Sequence, residues 1–208
     1  GPKPTKGKAK PAVSRKSPKD DDARVRKLEN RLAEAQEQQK ATSEILRVIS
    51  IAGQDLQLVF DTIAQNARRL CESTNAVVSR VEGDLVHLAA LDQVIPEGME
   101  LARRMFPMSP SRASIHGRVV LDRRVVQIPD VRADGEYSAS LTRAIHNRST
   151  LGVPMLLDGR VIGVIAVARN EVRPFADSQI ALLQTFADQA VIAIENVRLF
   201  NETKEALD

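Results

Sequence analysis

A single cysteine, Cys71, occurs in 208 residues. That excludes an internal disulfide and a cysteine-based zinc site, and it fits a reducing compartment, so a cytoplasmic setting is expected. Long apolar runs are scarce as well. Val161 to Ala168 is the longest, far too short to span a bilayer, and no signal peptide is visible. Nor does the chain carry a glycine-rich phosphate loop, a metal-ligand cluster or a nucleophile paired with a base, so the expectation is that it is not an enzyme. It also lacks an initiator methionine. The opening Gly1-Pro2 reads as a protease scar on a fragment of a longer protein.

What is present begins with enough apolar residues, 43%, for one core with extensions. The strongest core signal is Ser149 to Arg169, two apolar strands joined at Asp158-Gly159. That dipeptide supplies the positive φ angles of a tight hairpin turn. In the second strand Val161, Gly163, Ile165 and Val167 point one way, and Ile162, Val164, Ala166 and Ala168 point the other. A strand with one wet face would alternate apolar with polar residues, so this hairpin is expected to be covered on both sides. Asp177 to Leu207, a helical pattern free of proline and glycine, supplies one cover. The irregular segment Gln93 to Arg148 must supply the other, which leaves a place for a pocket between loops and sheet.

Charge divides the chain. Residues 1–20 hold seven Lys or Arg against Asp20, a net +6; with +3 for the whole chain the remainder carries −3. Residues 1–21 therefore read as a disordered basic tail, and nucleic-acid binding by the folded part is not expected. In residues 22–52 the spacing of Val25, Leu28, Leu32, Ala35, Gln39, Thr42, Leu46 and Ile49 alternates between three and four, a modest coiled-coil seam. Gly53 ends it, and Asp55 is placed to cap a helix over Leu56 to Cys71. A hairpin follows at Asn75 to Asp92, turning at Glu82-Gly83-Asp84, and Val125 to Ile128 is a third strand candidate. Short helices are expected at Pro96 to Phe106, after Ser114, and across Ser138 to His146; Ser114 is a natural N-cap.

The order of these elements, with Ser114-Ile115-His116-Gly117, Ile128-Pro129-Asp130-Val131, Leu151-Gly152-Val153-Pro154-Met155, Asp158-Gly159, Ile162-Gly163-Val164-Ile165, Phe175 and Ala187-Asp188-Gln189-Ala190, resembles a GAF domain. Such domains sense small molecules in bacterial sensor histidine kinases, nucleotide cyclases and phosphodiesterases. The resemblance covers roughly Ala41 to Phe200, with the domain itself at 53–200. It implies an α+β fold with a central antiparallel sheet of five to six strands, terminal helices on one face, and loops and short helices over the other. Pro154 fits a central strand poorly, so a strand start or a bulge is expected there.

Three branches of that family can be compared with these residues. Members that bind cyclic nucleotides carry Asn-Lys, then Phe, then Asp-Glu; here Asn170 precedes Glu171, and Gln179-Ile180 follows Phe175-Ala176-Asp177-Ser178. Bilin-binding members place a cysteine in the pocket, whereas Tyr137 to Asn147 has none. Members that reduce free methionine sulfoxide use several cysteines for thiol exchange. None of the three patterns is met, so the cofactor or ligand stays unknown. His116, His146 and Asp130 could in principle meet at a metal, but without motif spacing the histidines read as pocket-lining or exposed. The resemblance puts Ser114, His116, Ile128, Tyr137, Leu141 and Met155 at the ligand pocket.

At the C-terminal end Leu183, Phe186, Ala190, Ala193, Val197, Phe200, Lys204 and Leu207 keep the three-four spacing throughout. Helix 177–208 is therefore expected to continue as a linker toward a fused signalling module, with a homodimer formed through the end helices. The function expected is regulatory sensing of a small molecule, relayed through those helices. A ligand-free dimerisation and relay module, its cavity filled by its own side chains, is the alternative. Tyr137 and Phe106 as the only aromatics of the middle segment lean toward it.

Overall fold

The computed structural model describes residues 1, 22–33, 35–36, 39–40, 43 and 55–207, with backbone alone at 143–145. The basic tail at 2–21, the seam positions Thr42, Leu46 and Ile49, and Gly53 lie outside the described residues. Helix α1 covers 22–33, where Val25, Leu28 and Leu32 are all exposed.

From Asp55 onward the chain forms an α+β fold around one five-stranded sheet. Helix α2 (Leu56–Leu70) starts where Asp55 accepts hydrogen bonds from the N–H groups of Gln57 and Leu58, satisfying two of the donors a helix start leaves open. Strands β1 (Asn75–Glu82) and β2 (Leu85–Asp92) form the first hairpin, β3 (Val126–Ile128) is short, and β4 (Ser149–Leu157) and β5 (Arg160–Arg169) form the second. Their spatial order is β2-β1-β5-β4-β3, with every neighbouring pair antiparallel. Asp158 and Gly159 both have positive φ, 50° and 76°, as the tight turn demands.

The two-sided apolar character of β5 follows from its central place between β1 and β4. Ile165 and Val167 on β5, Leu151 and Val153 on β4 and Val78 on β1 belong to one large core with Phe60 and Ile63 of α2 and Leu183 and Phe186 of helix α6 (Asp177–Glu205). The opposite face carries α3 (Pro96–Met105), α4 (Ile115–Asp122) and α5 (Ala139–Ile145). Beneath them lies a smaller cluster that includes Ile115, Val131, Leu141 and Ala166.

Pro154 neither starts a strand nor sits in a bulge: it is the sixth residue of β4, paired with Val164, and the register shifts just after it, between Met155 and Leu156. β3 pairs with β4 only from Thr150 to Gly152. Beyond that point β4 is an edge, where a missing N–H is tolerated.

Two features join the layers. Arg169, the last residue of β5, is 2% exposed and donates to the carbonyls of Cys71 (2.7 Å), Arg173 (2.9 Å) and Pro174 (3.2 Å) and to Gln179 Oε1 (3.2 Å). Its guanidinium stacks 4.1 Å from the Phe175 ring centroid, so one side chain ties the end of α2 to the start of α6. Helix α6 then runs on for 29 residues, about 43 Å. Leu183, Phe186, Ala190, Ile194 and Val197 form its buried stripe, whereas Ile192, Leu199 and Phe200, and Leu207 just past the helix, are exposed. The stripe thus stops covering its own sheet after Val197.

Candidate functional site

A pleated sheet sends alternate side chains to opposite faces. On the face away from α2 and α6 this puts Asn75 and Val77 of β1, Ala166 and Ala168 of β5, and Thr150 of β4 beneath the short helices, and all five line one cavity of about 100 Å³. Two alanines in its floor and Gly98 in its roof leave the space open where larger side chains would fill it. Met105, Phe106, Ile115 and Leu141 supply apolar walls.

Helix α4 is fixed over the sheet by close glycine contacts. A Cβ on Gly152 of β4 would lie 2.8 Å from Ile115 Cγ1, and one on Gly117 would lie 2.1 Å from the Ser111 carbonyl oxygen. This seating brings His116 to 6% exposure, with Nδ1 2.9 Å from Ser79 Oγ and Phe106 packed edge-on against the ring. Burial lowers the His116 pKa to about 4, so the ring is neutral at pH 7. Ser114 caps α4: its Oγ accepts from the Gly117 N–H at 3.0 Å and reaches Met108 Sδ at 4.0 Å.

The remaining polar groups are paired in two ways. Asn75 Nδ2 donates to Asn147 Oδ1 at 2.9 Å, joining the start of β1 to the residues just before β4 beside the cavity. Outside it, Arg118 grips Asp134 with two bonds of 2.6 and 2.7 Å and lies 5.9 Å from the Tyr137 ring centroid. The Arg118 hydrogen bonds hold the Asp134 carboxyl down at about 2. Arg148 does the same for Asp130, which is therefore committed to an ion pair. Tyr137 is pushed up to about 12 by burial and stays a protonated donor.

Of the six residues expected at the pocket, Ser114, His116, Tyr137 and Leu141 line the cavity. Ile128 and Met155 do not. Ile128 packs in the small core against the wall residues, and Met155 belongs to the large core on the helix side. Period-two alternation puts Leu151, Val153 and Met155 together on that side, opposite Thr150 and Gly152. Asn75, Asn147, Thr150 and Asn170, which also line the cavity, were not anticipated. The signal available was a polar residue at the cavity end of each otherwise apolar strand. Cys71 lies in the helix-side core with its thiol pushed up to about 12 by burial, away from the cavity. A larger open cleft of about 620 Å³ lies at the opposite end of the sheet, among Arg80, Arg123, Arg160 and Arg198. Arg80 and Arg198 are engaged by Glu82 and Glu195.

The buried imidazole makes stability depend on pH in a stated direction. Unfolded His116 binds a proton near 6.5, and the folded ring resists until about 4. Its neutral form is therefore favourable above pH 6.5, and about 3 kcal/mol of stability is lost as pH falls from 6.5 to 4. Asp134, depressed from 3.8 to about 2, adds a further loss below 3.8. Urea midpoints measured at stepped pH are expected to fall through the upper window in the native chain and to stay flat there in His116→Gln.

Comparison with known proteins agrees with this architecture. The family model for the GAF domain matches residues 55–194. The GAF domain of a phosphoenolpyruvate-protein phosphotransferase from Coxiella burnetii is 15% identical, with a TM-score of 0.66 over 81% of this chain and 98% of that one. A domain of a putative two-component sensor histidine kinase from Sinorhizobium meliloti 1021 is 18% identical, with a TM-score of 0.57 over 70% and 94%. A free methionine-R-sulfoxide reductase from Neisseria meningitidis, solved with its substrate, is also 18% identical, with a TM-score of 0.60 over 78% and 90%. At these identities the solved structures establish the fold, and the last of them marks that fold as one that can carry an enzyme. With the family model spanning most of the folded chain, the protein belongs to the GAF domain family, a family of signalling and sensory domains.

Proposed function

We propose that this chain is a regulatory sensor domain that binds a small molecule non-covalently between its sheet and α3–α5, and that it has no catalytic activity of its own. The observation that carries the reading is the cavity, lined by buried polar side chains with unused hydrogen-bonding capacity. Strands β1, β4 and β5 form its floor, and their alternate residues pack α2 and α6 on the far side. A change of occupant therefore reaches the terminal helices through a single layer.

The relay runs through a homodimer. In support, Val25, Leu28 and Leu32 on α1 and Ile192, Leu199 and Phe200 on α6 are exposed apolar residues, and the spacing along each helix suits a paired-helix interface. Paired helices with two packing arrangements are the two-state element that occupancy would bias, passing the signal to a fused output module in the cytoplasm. No helix among the described residues is long and apolar enough to cross a membrane.

A ligand-free dimerisation and relay module is the second reading, favoured by the small cavity beside the roughly 300–1,000 Å³ usual for ligand pockets. Native mass spectrometry beside a denatured control separates the two. A dimer with excess mass lost on denaturation is the expected result. A dimer of bare subunits that also takes up no fragment supports the relay module, and a monomer overturns the helix-mediated relay.

A further inference from the structure

Resting on the binding reading above, we infer that the occupant is a compact, uncharged molecule with an apolar body and an amide-like or carbonyl end. The first observation is a missing charge: the described side chains lining the cavity include no Asp, Glu, Lys or Arg, and of its two histidines His116 is held neutral by burial while His146 is solvent-exposed. A carboxylate, phosphate or ammonium group taken into this site would give up its hydration without an opposite charge to replace it. The buried cation nearest in kind, Arg118, is not available, because both arms of its fork hold Asp134 and its Nε donates to the Arg112 carbonyl at 2.6 Å. The Ser114 cap of α4 is likewise engaged by the Gly117 N–H.

The second observation is what is left unpaired. Tyr137 is 9% exposed, and its hydroxyl has no hydrogen-bond partner among the described residues. His116 uses Nδ1 on Ser79, leaving Nε2 without one. The Asn75–Asn147 bond leaves Asn75 Oδ1 and Asn147 Nδ2 without partners among the described residues. Among the described residues Arg169 Nε is the one fully buried side-chain nitrogen or oxygen without a partner, so these four atoms are not sealed in the packing: they are open donors and acceptors on side chains that line one cavity, and a ligand there can complete them. A neutral group with both an acceptor and a donor meets that set, and Met105 and Leu141 meet the apolar remainder.

The test uses two pairs of equal shape and different charge, isobutyramide with isobutyrate and benzamide with benzoate. Each is titrated at pH 7.5 into the full chain while the side-chain amide resonances of Asn75 and Asn147 are followed. At least one amide is expected to shift them at millimolar concentration or below, with its carboxylate weaker by about tenfold or more. Tyr137→Phe, which keeps the volume, is expected to weaken the amide by about tenfold with the melting temperature unchanged. Carboxylates binding as well as amides would overturn the uncharged class and leave the binding cavity standing. If no member of either pair shifts these resonances, and native mass spectra are also bare, the binding reading falls and this inference with it. An amide that binds equally well to Tyr137→Phe would overturn the role given to the hydroxyl.

Discussion

Replacing Arg169 with methionine is expected to lower the unfolding free energy by about 3 kcal/mol. Two effects oppose each other. Removing the guanidinium relieves the burial of a cation that has no carboxylate ion-pair partner among the described residues, and burial is the main cause holding its pKa below the usual arginine value. Its Nε is also buried without a partner among the described residues. Against that, four hydrogen bonds go at once: the Arg173 and Pro174 carbonyls lose the donor they have, at about 1–3 kcal/mol each if left dry, while the Cys71 carbonyl keeps Gln179 Nε2 and Gln179 Oε1 keeps the Ala176 N–H. Stacking on Phe175 goes as well. The acceptors outnumber the single relieved charge, so the loss wins. Arg169→Lys keeps the charge but loses the planar fork, and it is expected to recover less than half of the difference. Urea unfolding of the two variants checks this; a loss below about 1 kcal/mol in the methionine variant would mean that water already serves these carbonyls.

Gly117→Ala is expected to cost about 2 kcal/mol despite placing a better helix former in α4. The helix gains roughly 1 kcal/mol from alanine. The new Cβ, however, would stand 2.1 Å from the Ser111 carbonyl oxygen and 2.5 Å from its nitrogen. Those are backbone atoms, so relief requires α4 or the loop before it to move, at about 1–3 kcal/mol or more for such overpacking. His116 is the adjacent residue, and its contact with Ser79 moves with the helix. Gly135→Ala is the control, because nothing lies within 4 Å of that Cβ, and its effect is expected to stay within about 0.5 kcal/mol. Thermal melts of both variants, with the His116 ring resonances followed in the first, report stability and displacement together. Equal melting temperatures for the two would refute the close seating of α4.

The reach of the sequence differed between its local and its long-range features. Asp55 and Ser114 act through hydrogen bonds to residues two or three positions away, and Asp158-Gly159 through its own positive φ angles; the turn and caps they imply are all present. The apolar faces of β5 required two covering layers, and α2 with α6 on one side and α3 to α5 on the other supply them. Pro154 misled because its tolerance depends on where β3 ends, which no residue of β4 encodes.

At the cavity the same division recurs. Ser114, His116, Tyr137 and Leu141 were carried there by their place in a motif or loop. Met155 was assigned by its segment, although alternation along β4 already separates it from Thr150. The Asn75–Asn147 bond spans 72 positions and exists only because β1 and β4 flank β5. Arg169 reads in the chain as the polar end of a strand; its four acceptors come from α2, the loop after β5 and α6. The sequence by itself determined the element types, the turns, the caps and the family, since each rests on short-range stereochemistry or on the order of motifs. The size of the cavity, its lack of charge and the polar groups left open within it were decided by tertiary structure, because each is a sum over side chains that meet only when the sheet assembles.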